Sequence, residues 1–304
     1  MKSVAALAFI AALAAASPAA AQFGWGQEMD MSNFATLDPT AVSSDWRACT
    51  NEASRFSTEE IIAGCGHVFA NSSRPATRAY ALWWRGFAYK RTGQAELAAA
   101  DYQAALAEFE AWSQADPRSI DAHVNRACLL VSMHEYDQAS AELAIADRMR
   151  RRQPRVIGAI GHIAFLRGDY ATAITLFDRA DAIARMDHAG EILTHNRCEA
   201  RAAAGVEMDE TEEICDRAVR ASQGHPATFV SRGFYRFRRN DMDGALADFE
   251  SALSRDPNNA SALYGRSVVA ARAGRQEAAD ADLARARELN PETIEYYANA
   301  GMRP

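Results

Sequence analysis

The stretch TFVSRGFYRFRRNDMDGALADFESALSRDP, residues 228–257, decides the fold once it is set beside SALYGRSVVAARAGRQEAADADLARARELNP, residues 261–291. Pro257 and Pro291 stand 34 residues apart, as do Phe249 and Leu283, and Ala252 and Ala286. Each block opens with apolar and small residues at helical spacing, breaks at an Asn- or Gly-centred turn, resumes a helical pattern and closes on Asp/Asn-Pro. Apolar residues at that spacing mark the buried face of a helix. Proline ends a helix because it lacks the N–H and its ring clashes with the preceding turn. The reading is a helix–turn–helix unit repeated every 34 residues, whose apolar face is buried only when neighbouring units stack on it.

Upstream, the small first-helix residue recurs at Gly86, Ala127, Gly161, Cys198, Gly233 and Ser267, in steps of 41, 34, 37, 35 and 34. The long step holds seven extra residues, AEFEAWS (107–113), before Asp116-Pro117. Seven residues are nearly two whole turns, so the spacing predicts one overlong helix, about 95–115, that keeps its buried face in register.

The pattern resembles the tetratricopeptide repeat (TPR). That family has a bulky residue, a small one four positions later, then alanine, an aromatic and alanine on the second helix, and a closing proline. Phe229, Gly233, Ala245, Phe249, Ala252 and Pro257 fill these places in one unit; Leu263, Ser267, Ala279, Leu283, Ala286 and Pro291 fill them in the next. The resemblance implies an all-α fold, a right-handed superhelical TPR solenoid of antiparallel helix pairs. Its frame divides 75–291 into six units, at about 79–117, 120–153, 154–187, 191–225, 226–259 and 260–291. A degenerate, Cys-containing hairpin at 42–74 precedes them, and a short C-terminal cap or tail at 292–304 follows.

Arg85, Arg126, Arg197, Arg232 and Arg266 each precede the small residue. A ladder of arginines for an anionic ligand is one reading. The other is a set of structural ion pairs, because Asp101, Glu142, Asp248 and Asp282 recur one residue before the aromatic position of the second helix. The unit that carries Ile160 in place of arginine also carries Leu176 in place of the acid. Joint presence and joint loss favour the pairs Arg85–Asp101, Arg126–Glu142, Arg232–Asp248 and Arg266–Asp282. Arg197 breaks the rule, with Ile214 where the acid belongs and Asp216 or Glu213 as substitutes.

The five cysteines fit the same frame. Cys198 takes the small first-helix position and Cys215, allowing one inserted residue, the aromatic one; Cys49 and Cys65 take those two places in the first hairpin. Two pairs at one address argue for one structural job, the disulfides Cys49–Cys65 and Cys198–Cys215. Free thiols remain an alternative, as does a metal or redox site. Against the latter, no Cys-x-x-Cys occurs and no four-ligand zinc cluster is visible around His67 or His195. Cys128 is left over, as a small packing or groove-wall residue.

The chain opens MKSVAALAFIAALAAASPAAAQ, with a positive start at Lys2, an apolar core over 4–16 and small residues before Gln22. This is the three-part secretory signal, 1–21, cut near Ala21-Gln22; its core is too short to span a bilayer. Residues 22–41 read as a flexible leader. Removal of Lys2 takes the net charge from −7 to −8. The dense basic run RMRRRQPR (148–155) stands alone, which argues against a nucleic-acid partner. No later stretch is apolar enough for membrane insertion after cleavage. Arginine replaces lysine everywhere except Lys2 and Lys90, and with the alanine excess this points to a GC-rich bacterial source. Periplasmic or secreted localisation follows, and the chain resembles secreted or periplasmic TPR proteins of alphaproteobacterial type.

Nucleophile-elbow, His-Glu-x-x-His and phosphate-loop motifs do not occur. No catalytic residue, metal or cofactor is expected. What TPR arrays offer is a concave groove lined by first helices. Its lining here is expected to be Trp83, Trp84, Phe87 and Lys90, then Asn125 and Cys128, then His162 and Phe165, then His195, Asn196 and Glu199, then Phe234 and Phe237, then Tyr264. Aromatic and polar groups together suit an extended peptide or a partner helix. The expected function is an exported, non-enzymatic scaffold for a protein or peptide partner in envelope assembly or secretion. The alternatives are a metal- or thiol-redox-dependent protein using the four paired cysteines, and a purely structural, self-associating module.

Overall fold

The computed structural model describes residues 44–50, 56–186, 193–205, 210–222 and 224–303. The expected signal segment with its cleavage point, and the leader, lie outside the described residues. Among the described residues there are fifteen helices and no strand. A first hairpin pairs α1 (Ser44–Cys49) with α2 (Thr58–Asn71). Then come α3 (Pro75–Arg91) with α4 (Ala95–Ala115), α5 (Ile120–Ser132) with α6 (Tyr136–Met149), and α7 (Pro154–Leu166) with α8 (Tyr170–Met186). They are followed by α9 (Thr194–Ala204) with α10 (Thr211–Ala221), α11 (Pro226–Arg238) with α12 (Met242–Arg255), α13 (Ala260–Arg272) with α14 (Gln276–Leu289), and a last helix, α15 (Pro291–Asn299).

Local chemistry sets the boundaries. Proline opens α3, α7 and α11, where the missing N–H is one the first turn leaves unpaired anyway. Ser57 caps α2 in a reciprocal capping box with Glu60, and Ser119, Asp241 and Asn259 cap α5, α12 and α13. The hairpin turns need one left-handed residue each. Gly93, Gly168 and Gly274 supply it at φ 74°, 79° and 71°, and His134 and Asn240 take the same conformation at 64° and 62°.

The repeat exists because a ring fills a hole left by glycine. Phe249 of α12 is fully buried. A Cβ added to Gly233 in its own hairpin would lie 2.8 Å from that ring, and one added to Gly265 in the next would lie 2.3 Å from it. Tyr102 closes on Gly86 in the same way (2.6 Å), and Phe177 on Gly161 (3.0 Å). Small residues thus let paired helices approach, and the aromatic fills the gap between successive pairs.

The extra turns of α4 add Phe109 and Trp112. Phe109 is fully buried, edge-on to Tyr80 and Trp83 with ring centroids 5.5 and 6.1 Å apart, and Trp112 packs on Phe109 and Tyr80. Where other hairpins set a ring against glycine, two hairpins set sulfur against sulfur. Cys49–Cys65 joins α1 to α2 and Cys198–Cys215 joins α9 to α10, with Cα atoms 4.5 and 4.9 Å apart, inside the ~4.4–6.8 Å that a bridge needs. All four cysteines are buried, and Cys128 is a buried free thiol.

Candidate functional site

First helices pack on one another, α9 on α11 and α11 on α13, and so form the inner layer of the solenoid. The groove residues expected from the sequence lie on this layer, and the structure divides them into two groups. In the N-terminal part, Trp84 and Phe87 are half-buried with centroids 6.4 Å apart, and Lys90 is exposed. Trp83 is not available to a partner, because Phe109 and Tyr80 cover it and leave it 3% exposed. Asn125 is also buried; its side-chain oxygen accepts from Arg155 Nη2 at 2.8 Å, while Arg155 Nη1 reaches Asp121 at 2.6 Å.

In the C-terminal part, His162, Phe165, Asn196, Phe234, Phe237 and Tyr264 are all buried, against the expectation of an open wall. The physical reason is the chain's own end. The segment after Pro291, expected to be a short cap, turns across the inner wall. Tyr297 stacks on Phe234 at 4.0 Å and on Tyr264 at 6.0 Å. Tyr296 reaches back four hairpin units to Phe165, with centroids 6.2 Å apart. The Tyr264 hydroxyl donates to the Met302 carbonyl at 2.6 Å, and Arg238 donates to the carbonyl of Ala300. The Arg238 guanidinium also donates to Ala203 O at 3.0 Å, so it ties the tail to α9. Phe237 is covered separately, by the Arg272 guanidinium 4.4 Å above its ring. The adjacent aromatics of EYYANAGM (295–302) were a sequence signal for this, since two large rings side by side there fit no position of the repeat frame.

Beneath the tail lies a small polar cluster. His195 Nε2 is 3.7 Å from Glu199 Oε2. Burial raises the Glu199 carboxyl to about 7. Burial, with a lesser push from His225, lowers His195 to about 4, and burial with His195 lowers His162 to about 3. Both imidazoles are therefore neutral at pH 7. Both ring nitrogens of His195, Asn196 Oδ1, Thr293 Oγ1 and the Tyr296 hydroxyl are buried without a hydrogen-bond partner. Among the described residues no group of three His, Cys, Asp or Glu is placed to hold a metal ion.

The arginine ladder faces acids rather than an open site. Arg85 grips both carboxylate oxygens of Asp101 at 2.7 Å, and Arg266 those of Asp282 at 2.6 and 2.8 Å. Arg232 lies between Asp248 (2.6 Å) and Asp216 (2.7 Å), and Arg126 between Glu142 (3.3 Å) and Glu110. Arg197 pairs with neither Asp216 nor Glu213. Its Nε donates to Asp178 and its Nη1 to Asp181, both at 2.8 Å on the preceding helix, α8. The ladder thus has a partner on the second helix behind it as well as on the one ahead, and sequence reasoning looked only ahead. Asp181 is fully buried. Arg197→Met, which takes from that buried charge a guanidinium bonded at 2.8 Å, is expected to cost about 3 kcal/mol in urea unfolding. Arg266→Met, at a half-exposed pair, should cost under about 1 kcal/mol. Equal losses at the two sites would show that burial does not set the value of these pairs.

The tetratricopeptide repeat model matches residues 80–110. No curated protein matches the sequence. Among solved structures, the type IV pilus biogenesis factor PilW is similar at 20% identity and a TM-score of 0.52, covering 72% of this chain and 98% of its own. A tetratricopeptide repeat protein from Parabacteroides merdae is similar at 17% identity and a TM-score of 0.50, covering 81% and 93%. The Cut9–Hcn1 hetero-tetramer of the APC/C is similar at 13% identity and a TM-score of 0.55, covering 88% of this chain and 58% of the other. No helix of the described residues is long and apolar enough to cross a membrane. Residues 80–110 match the tetratricopeptide repeat model, and the chain has the all-α architecture of a TPR solenoid.

Proposed function

We propose that the protein is an exported, non-enzymatic scaffold that binds a protein or peptide partner on its inner wall and serves envelope assembly or secretion. One observation carries the binding reading: the inner wall already holds a helix, its own α15, by aromatic stacking and by bonds to backbone carbonyls. A surface with that grip suits the helix-in-groove mode of recognition. The more exposed stretch of the same layer, Trp84 and Phe87 beside Lys90, is where a partner first has access. Export is read from the N-terminal signal pattern, and two buried disulfides suit an oxidising compartment. The fold is one that a type IV pilus biogenesis factor also uses. The redox alternative is disfavoured because all four bridged sulfurs lie in residues with 0% exposure, out of reach of an attacking thiolate.

The test is crosslinking in the periplasm of cells carrying the native chain or a Trp84→Ala, Lys90→Glu double variant, followed by identification of what co-purifies. A partner captured by the native chain and lost with the variant is expected. Equal capture by both overturns the assignment of the wall.

A further inference from the structure

We propose that the C-terminal segment 291–302 is a displaceable occupant of the inner wall, and that the ligand it makes way for is an amphipathic peptide helix that carries an aromatic and, next to it, a cation for Glu199. The inference rests on the scaffold reading and gives its partner a chemistry.

The apolar half of the tail fits well. Tyr297 sits in a three-ring stack with Phe234 and Tyr264, and Met302 is 1% exposed. The polar half does not fit. The Tyr296 hydroxyl and both nitrogens of His195 are buried with no hydrogen bond, and so is Thr293 Oγ1. Each such group forfeits its bonds to water and gains none from the protein. Glu199 sits among phenols and a neutral imidazole; its charge bears on Tyr170, Tyr296 and Tyr297, and among the described residues no arginine or lysine forms a salt bridge with it. The guanidinium that bonds the tail, Arg238, donates to the carbonyls of Ala203 and Ala300. A helix that keeps the aromatic at the Tyr297 position and brings arginine or lysine at the Tyr296 position satisfies the carboxylate and removes the stranded phenol. Such a ligand outbids the tail at the place where the tail is worst matched.

The experiment uses the chain from residue 22 onward and a full-length partner variant, Tyr296→Ala with Tyr297→Ala, whose tail has lost its two anchoring rings. The probes are two fluorescein-labelled 15-residue peptides, one with the sequence of residues 290–304 and one with that sequence carrying Tyr296→Arg; binding is read by fluorescence anisotropy. The tail-released chain should bind the arginine peptide about tenfold or more tightly than the native-sequence peptide, the size of one charged hydrogen bond. Adding Glu199→Gln should erase that difference, and the unaltered chain should bind both peptides far more weakly because its own tail competes. Equal binding of the two peptides, a preference for the native sequence (copies exchanging tails), or a difference that survives Glu199→Gln overturns the proposal. Hydrogen exchange on the unaltered chain needs no variant: amides of 293–302 should exchange well before those of α12, and exchange no faster than α12 overturns displaceability. A partner captured through Trp84 and Lys90 while neither peptide binds overturns this inference and leaves the scaffold reading standing.

Discussion

Phe249→Ala is expected to destabilise the chain by about 3–5 kcal/mol, more than any other single truncation of an apolar side chain in the C-terminal units. The ring is fully buried, lies against Gly233 and Gly265, and meets Phe234 edge-on at 5.0 Å. Neither glycine has a side chain that can move into the void, so the cavity stays open and the transfer and cavity terms add. Leu283, at the equivalent place one unit later, is only half-buried. Leu283→Ala should therefore cost about 1–2 kcal/mol, in proportion to the smaller apolar area it removes from contact. Urea melts followed by far-UV circular dichroism measure both. Equal losses would mean that the glycine-backed pocket has no special value and that the repeat position alone sets the cost.

Removal of the second bridge is the other large effect. Cys198→Ala with Cys215→Ala opens a loop with a sequence separation of 17, for which the chain-entropy model gives about 3 kcal/mol. The unit it staples is short, with two 11-residue helices. It sits between α8, to which Arg197 and Arg201 tie it through Asp178, and α11, where Arg232 ties back through Asp216. In a linear array each unit draws stability from its neighbours, so loosening this one should broaden the unfolding transition as well as lower its midpoint. A melt that shifts by less than about 1 kcal/mol would show that the bridge is dispensable. The thiol count checks the premise: unfolded without reductant the chain should expose one thiol, Cys128, and with reductant five. Burial pushes that thiol up to about 12, so the native chain should react with none of the usual thiol reagents.

Much of this architecture was legible before any coordinates. The 34-residue period, the small-then-aromatic alternation, the overlong helix and the two cysteine pairs are all local or one-hairpin relations. A hairpin fixes which residues face each other once its turn and helical period are known, so Gly86 opposite Tyr102 and Cys198 opposite Cys215 follow from spacing. The cysteine stretch 196–219 is a good example: in isolation it reads as a reactive dithiol, and on the repeat frame it reads as a staple where other hairpins have a ring on glycine.

What the sequence could not decide was which first-helix residues remain open to a partner. Trp83 and Trp84 are neighbours in the chain, yet the extra turns of α4 bury one and leave the other half-exposed. Arg197 has no acid at the expected place and finds two on the helix behind it. Tyr296 finds Phe165, and Arg238 finds Ala300, because the solenoid's curvature brings distant units to one inner wall. Periodicity reports what repeats from unit to unit, and by itself it determined the all-α repeat, its helix pairing and which cysteines face each other. The path of a terminal segment that belongs to no unit depends on the sum of many small inter-unit rotations, and on that account only the tertiary structure decided that the groove is half filled by the chain itself.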